Sequence, residues 1–327
     1  MKVGIVGLPN AGKSTLFNAL TGAAAQAAEY PFTTVEPNVA VVPVPDERLD
    51  AVAGTLGIER RVPERVEFVD IAGLVRGAHA GEGLGNRFLG HIREVDALLH
   101  VVRAFESGTV AHPHGEVDPR ADVEVVEAEL LMADLGTAER RLEAKKLSPE
   151  ETRHWTEEAE RLRRGEPGRD PDLLTAKPSL VVANAEEGDA GVPEPASLAV
   201  CARDEAELTE MTPDEAAAMR AELGIERAAL EAVIRAGYEL LGLITFFTAV
   251  GEKEVRAWSL PRGATALDAA GRVHTDMREG FIRAEAIGWE ELVECGSFAA
   301  ARERGLLRTE GRDYVVGDGE VLTIKFA

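Results

Sequence analysis

Cysteine is nearly missing from this 327-residue chain: Cys201 and Cys295 stand far apart and share no C-x-x-C spacing. That argues against a disulfide framework and against a cysteine-built zinc site, and it points to bland thiols in a reducing compartment. Long apolar runs are missing too. No stretch reaches the roughly 18 residues that a membrane-spanning helix needs. Met1-Lys2 leads straight into the strand-like Val3-Gly4-Ile5-Val6, so a soluble, cytoplasmic protein with no membrane partner is expected. Basic residues are in short supply, 36 against 58 acidic ones, for a formal net charge of −22. Such a field repels a nucleic-acid backbone, so no DNA partner is expected and any RNA contact has to be local.

The chain is long enough for two or three domains, each with its own core. In the first hundred residues, β-rich runs (Lys2 to Val6, Val39 to Val44, Arg65 to Val69, Ala97 to Val102) alternate with glycine-rich loops and amphipathic stretches. This is the pattern of an α/β doubly wound, mainly parallel sheet. From Asp122 the texture turns helical, with Val123, Val126 and Leu130 on one stripe and Trp155, Ala159 and Leu162 on another. Ser148-Pro149-Glu150-Glu151 between them has the form of a capping box with proline at the first helical position. An antiparallel helical hairpin over 122–172 is expected, inserted into a nucleotide domain made of 1–121 and 173–242. Strand texture resumes at Ser179 to Ala183 and Leu198 to Cys201, and helices are expected from Thr212 and Glu226. A β-rich segment over 243–327 reads as a separate C-terminal domain, with a hairpin around Gly317-Asp318-Gly319.

The sharpest chemical signal is Gly7-Leu8-Pro9-Asn10-Ala11-Gly12-Lys13-Ser14, a complete G-x-x-x-x-G-K-S between a strand and a helix. The glycines let main-chain N–H groups turn inward around phosphates, Lys13 reaches the outer phosphates, and the Ser14 hydroxyl ligates magnesium. The start of the following helix adds its positive end. Nucleotide contacts are expected from Asn10, Ala11, Gly12, Lys13, Ser14 and Thr15. The strand ending at Asp70 continues Ile71-Ala72-Gly73. An acid there can hold the magnesium shell, and the Gly73 amide can sense a γ-phosphate. Alone, D-x-x-G is also a common turn; placed after a phosphate loop it reads as functional. Between the two lies Tyr30 to Asn38, where Thr34, ahead of Thr33, is the candidate third magnesium ligand and the basis of an order-to-disorder switch. Arg76 to Gly85 is glycine-rich enough to rearrange with nucleotide state.

At the base end, Asn184-Ala185-Glu186-Glu187 follows a buried strand on the sheet edge where ligands bind. A guanine reader is usually N-K-x-D; here alanine and glutamate replace its lysine and aspartate, which leaves ATP and GTP both open. A slow hydrolase acting as a switch is the leading reading. A phosphotransferase and a nucleotide-regulated RNA-binding module are the alternatives.

These stretches, together with Gly81-Glu-Gly-Leu-Gly-Asn, Arg235-Ala-Gly-Tyr, Glu254-Val-Arg-Ala-Trp and His274 to Ala284, closely resemble the YchF / Obg-like ATPase family over nearly the whole length. The resemblance implies a C-terminal TGS domain of ubiquitin-like β-grasp fold, slow hydrolysis, ATP binding comparable to or better than GTP, and association with the ribosome or ribosomal RNA. It also places an apolar residue, here Leu74, where many relatives of this class carry a water-orienting glutamine. The job passes to a loop histidine, which maps to His112 with His114 as a rival, so His112, Lys13 and Gly73 form the implied catalytic set. Cys201-Ala202-Arg203 falls on the family's last nucleotide-contacting stretch, where the resemblance keeps the alanine, Ala202, while the flanking residues differ. Two departures stand out: the segment between Glu187 and Leu198 is too short for a covering helix, and the hairpin is abbreviated. Arg256, Arg262, Arg272, Arg278 and Arg283 are a candidate RNA-facing patch, although acids are interleaved.

Overall fold

The computed structural model describes residues 1–26, 38–71, 84–144, 146–186, 191–222, 229–250 and 253–327. They fall into two compact units, Met1–Val42 with Val66–Leu241, and Pro43–Arg65 with Gly242–Ala327.

The first unit is built on six strands in the spatial order Val39–Pro43, Arg65–Asp70, Lys2–Val6, Ala97–Ala104, Ser179–Ala185, Leu198–Val200. Lys2–Val6 runs parallel to both of its neighbours, and the next two pairings are parallel as well. Because both faces are covered, Ala97–Ala104 is buried along almost its whole length, which is why it reads as a continuous apolar run rather than an alternation. Helices Leu84–Arg93 and Pro119–Leu142 lay Phe88, Leu89, Ile92, Val126 and Leu130 over Val6 and Leu98 on one face. The expected doubly wound α/β architecture is present. The described residues between Ala185 and Leu198 form no helix, consistent with how short that segment is.

The helical hairpin starts three residues before the expected 122, at Pro119, because Asp118 is the true cap: its carboxylate accepts from the amides of Arg120 and Ala121 at 3.0 and 3.1 Å. The capping box at Ser148 is present in full, with Glu151 N donating to Ser148 Oγ and Ser148 N to Glu151 Oε2. Helix Pro149–Arg163 packs Trp155, Ala159 and Leu162 against Ala138 and Leu173, and the Arg141 guanidinium lies over the Trp155 ring at 5.3 Å. Trp155→Ala is expected to remove about 3–5 kcal/mol from this small cluster. Amide exchange should therefore speed up throughout the hairpin while the strand Lys2–Val6 keeps its protection. Equal protection in both proteins would show that the cluster is not what holds the hairpin.

The second unit carries strands in the order Arg308–Glu310, Phe281–Gly288, Glu320–Phe326, Leu243–Val250, Glu254–Pro261, Arg61–Val62. The last strand runs parallel to the first of the C-terminal region, Leu243–Val250, and the flanking pairs are antiparallel. Numbered along 243–327, the strands lie in the order second, first, fifth, third, fourth, which is the order of a ubiquitin-like β-grasp. Leu243–Val250 alternates between two buried faces. Phe246 faces helix Ala266–Val273 with Ala266 and Ala269, and Phe247 faces Leu49, Val52 and Ala53.

That second contact moves a boundary. Residues 43–65 fall within the nucleotide domain on the sequence reading, yet helix Glu47–Leu56 contributes its apolar face to the β-grasp unit, and Arg61–Val62 extends that unit's sheet beside Glu254–Pro261. Glu64 accepts from Ser259 N at 2.8 Å, and Arg48 pairs with Asp318 at 2.8 Å. Gly317-Asp318-Gly319 is a tight turn but not a hairpin, because the strand it delivers pairs with Phe281–Gly288 and Leu243–Val250. Its geometry is fixed from the sheet: Thr245 N donates to Asp318 Oδ1, and Gly319 N to Thr245 O.

Candidate functional site

The turn after the strand Lys2–Val6 is forced by its glycines. Gly7 has φ +148°, and a Cβ there would lie 2.2 Å from the Val101 carbonyl oxygen of the neighbouring strand. Gly12 has φ +94°, and Asn10 sits at φ +64°, a region that asparagine enters more readily than most residues. The loop ends on helix Lys13–Gln26, whose first amides face the same space.

Lys13 is 6% exposed, and its ammonium donates to the Leu8 carbonyl at 2.8 Å. Burial holds its pKa below the ordinary lysine value, with the Asp70 carboxylate pulling the other way. Close to it, on the strand Ala97–Ala104, His100 pairs in register with Val6 and is pushed down to about 4 by burial and by the charge of Lys13. His100 is therefore neutral at physiological pH, and Lys13 is the cation of the loop. A polyanion selects the ammonium form, so triphosphate affinity should be flat near neutrality and fall as pH climbs through the lowered Lys13 value, in a window beginning below 10.5. In that window binding takes up protons. Calorimetry in buffers of different ionisation enthalpy measures this, and a pH-independent affinity up to 10.5 would contradict it.

Ser14 Oγ donates to Asp70 Oδ2 at 3.1 Å. Asp70 Oδ1 is buried and has no hydrogen-bond partner among the described residues. Two adjacent hard oxygen donors with one left unsatisfied suit a magnesium ion. Thr34, Gly73 and Leu74 lie outside the described residues, as do most of Arg76 to Gly85 and Glu187.

Asn184 stands at the end of the strand Ser179–Ala185, and both of its polar ends are engaged: Nδ2 donates to Ala11 O at 3.1 Å, and Oδ1 accepts from Ala202 N at 3.0 Å. It is buried and braces the phosphate loop against the start of helix Ala202–Leu208. Ala11 and Ala202 are fully buried partners of this brace, and neither lines the cavity. That cavity, of about 520 Å³, is lined by Asn10, Gly12, Lys13, Ser14, Thr15, Asn184, Ala185, Glu186, Cys201 and Arg203 on one side, a size that fits a nucleotide. Burial pushes the Cys201 thiol up from its ordinary value, so it faces the cavity uncharged.

Sequence reasoning misses the opposite wall. Phe105, Glu106, Ser107, Thr109 and Val110 line the cavity, and no motif marks them. Their anchor is Arg103, 2% exposed, which donates to Phe105 O at 3.0 Å and stacks on the Phe105 ring at 4.4 Å. An arginine near the end of the mostly apolar Ala97–Ala104 run is the signal that could have drawn attention to this loop. Asn10 Nδ2 donates to Ala111 O at 3.1 Å, joining the phosphate loop to the same segment. His112, one residue further on, does not line the cavity. Its side chain is 4% exposed, with Nε2 3.1 Å from Asp122 Oδ2 and Nδ1 accepting from His114 N at 3.2 Å.

A strand, a G-x-x-x-x-G-K-S turn and a helix, with a strand-ending acid bonded to the loop serine, define a phosphate-loop nucleotide triphosphatase domain. A family model described as "50S ribosome-binding GTPase" matches residues 2–133, and the YchF-GTPase C-terminal model, described as a protein of unknown function (DUF933), matches 243–327. The "Ribosome-binding ATPase YchF" of Bacillus subtilis (strain 168) is 43% identical over 363 aligned positions, covering 100% of this chain and 99% of the relative. The protein of that name from Escherichia coli O157:H7 is 44% identical, covering 99% of each. Among solved structures, the Schizosaccharomyces pombe YchF GTPase has a TM-score of 0.86 at 34% identity, covering 99% of this chain and 97% of its own. A GTP-binding protein from Pyrococcus horikoshii shares the fold at a TM-score of 0.56 and 21% identity. The chain belongs to the YchF family. Since 363 aligned positions exceed the 327 residues here, the relatives carry internal positions with no counterpart in this chain, in line with its short hairpin and its short 186–197 connection.

Proposed function

We propose that this chain is a magnesium-dependent purine nucleoside triphosphatase that hydrolyses slowly, takes ATP at least as well as GTP, and works as a nucleotide-dependent switch on the ribosome. The observation that carries this is the phosphate loop with Lys13 poised inside it and Ser14 against Asp70. The relatives named as ribosome-binding ATPases, and the fission-yeast protein named as a GTPase, support the same chemistry and the ribosomal partner. Magnesium would be held by Ser14 and Asp70, with Thr34 as the third candidate, and when bound it neutralises charge on the phosphate oxygens. Main-chain amides from Asn10 to Thr15 and the Lys13 ammonium hold the phosphates, and Gly73 senses the outermost one. Ala185 and Glu187, in place of the lysine and aspartate of a guanine reader, alter that reader and make adenine a serious candidate beside guanine. Cys201 and Arg203 flank the base end. The domain assignment is a nucleotide domain with an inserted helical hairpin and a TGS-like C-terminal unit.

Leu74 cannot orient water by hydrogen bonding, so His112 is assigned that role, which it can take up only after its ring leaves Asp122. Turnover is slow because that departure breaks two hydrogen bonds. The ribosomal contact is local and does not come from a general cationic face. Of the five candidate arginines, Arg272 pairs with Glu64 at 3.4 Å and Arg278 with Asp268 at 3.8 Å.

Parallel titrations of ATP and GTP with magnesium, followed by phosphate release, test the reading. ATP affinity at or above that of GTP, slow release to water, and a drop in turnover for His112→Ala with binding nearly intact are expected. Binding of neither nucleotide, or binding without any phosphate release, would overturn it. Nucleoside diphosphate formed only with an added acceptor, with the phosphoryl group recovered on that acceptor, would make the chain a phosphotransferase.

A further inference from the structure

The loop between the strand Ala97–Ala104 and the helix Pro119–Leu142 presents His112 and His114, and the first turn of the helix presents Asp122. Each offers one donor atom, and the three atoms lie within 4.8 Å of one another. Asp122 is 1% exposed. Its Oδ2 is 3.1 Å from His112 Nε2, but its buried Oδ1 has no hydrogen-bond partner among the described residues, and His114 Nδ1 stands 3.9 Å from it, beyond hydrogen-bond reach. An acid in a helix's first turn needs no more explanation than the helix dipole and the His112 bond. Neither accounts for a buried oxygen left unsatisfied between an acid and a facing imidazole.

We infer that His112, His114 and Asp122 form a binding site for a divalent transition cation of the zinc class. Ligands about 2.0–2.1 Å from a tetrahedral zinc ion lie about 3.3 Å apart. The His112–Asp122 separation is already close to that, and the His114 ring, the most exposed of the three, has only a short way to turn. Two imidazoles and a carboxylate leave a fourth position for water, and nitrogen donors favour zinc over magnesium, which prefers oxygen. A bound ion also places positive charge beside the buried Asp122 carboxylate. Binding through Nε2 requires His112 to carry its proton on Nδ1, so the bond from the His114 amide is given up. The site contains no residue of the phosphate loop, although Asn10 Nδ2 reaches the Ala111 carbonyl next to it. It bears on hydrolysis only through the role proposed above for His112, because a ring held by a metal cannot reach water.

The test uses the full chain, stripped of transition metals and without nucleotide, in excess magnesium, with zinc affinity measured against a chromophoric chelator and cobalt absorption as the geometric probe. The wild type should take up one zinc ion with a tetrahedral cobalt spectrum. His114→Ala and His114→Gln, at an exposed position that does not threaten the fold, should weaken binding at least about tenfold. No zinc uptake by the wild type, or identical uptake by wild type and both variants, overturns the site. In a separate arm, one equivalent of zinc should slow phosphate release by the wild type and not by His114→Ala, which controls for zinc drawn off by ATP. Binding intact with hydrolysis unaffected would sink the role of His112 and leave the metal site standing.

Discussion

Gly12→Ala should reduce triphosphate affinity by more than about 100-fold, although it adds one methyl group. The backbone at Gly12 has φ +94°, where an L side chain is strained by about 1–2 kcal/mol. The added Cβ would also lie 2.0 Å from Asn184 Nδ2 and 3.1 Å from its Cγ. Asn184 is not a loose side chain that can step aside. It is 6% exposed and tied to Ala11 O and Ala202 N. Displacing it leaves two buried main-chain groups unpaired, at about 1–3 kcal/mol each, and releases the loop from the start of helix Ala202–Leu208. Gly136→Ala is the matched control: that glycine lies inside the helix Pro119–Leu142, and a methyl group added there would meet nothing within 4 Å. It should bind nucleotide as the wild type does and gain about 0.4–1 kcal/mol of stability. A fluorescent nucleotide titration and a thermal melt read both effects, and an affinity for Gly12→Ala within about threefold of the wild type would mean that the loop tolerates what the geometry forbids.

The elements themselves are legible in the sequence, and their destinations are less so. Strand runs such as Lys2 to Val6 and Ala97 to Val102 announce themselves because a sheet covered on both faces needs continuous apolar residues. The phosphate loop is legible because few other sequences satisfy its backbone, and Ser148 to Glu151 because a capping box is a local device. By contrast, nothing in 43–65 says which sheet its helix will cover: Leu49, Val52 and Ala53 make an apolar stripe that suits either unit, and only the three-dimensional packing assigns them to Phe247 and Val255. The Gly317 turn misleads for a similar reason, since turn chemistry fixes a bend but not the partner of the strand that leaves it. At the site, the brace made by Asn184 and the wall from Phe105 to Val110 depend on contacts between residues far apart in the chain. A motif records neither. His112 is legible as a candidate through resemblance, but its bond to Asp122, ten residues on, is not.

Lys13→Met should weaken triphosphate binding at least about tenfold while leaving the fold intact. Methionine keeps most of the apolar stem that Lys13 buries, so packing changes little and the ammonium is what is lost. In the structure that ammonium is held by a neutral acceptor, the Leu8 carbonyl, at 2.8 Å, in surroundings that disfavour its charge. Transfer to a phosphate oxygen replaces a neutral acceptor with an anionic one, and charge-assisted bonds of this kind contribute about 1.5–3 kcal/mol each. The His100 imidazole beside it is held down chiefly by burial, a cause that the substitution leaves in place, so it does not take over the lost charge. Lys13→Arg should not restore affinity either: a planar guanidinium is broader than an ammonium, and the position is 6% exposed. The two variants therefore separate charge from shape. Loss in Lys13→Met with rescue by Lys13→Arg would mean that any cation serves; loss in both means that the loop is built around a compact ammonium; and wild-type affinity in Lys13→Met would remove the cation from the binding site altogether.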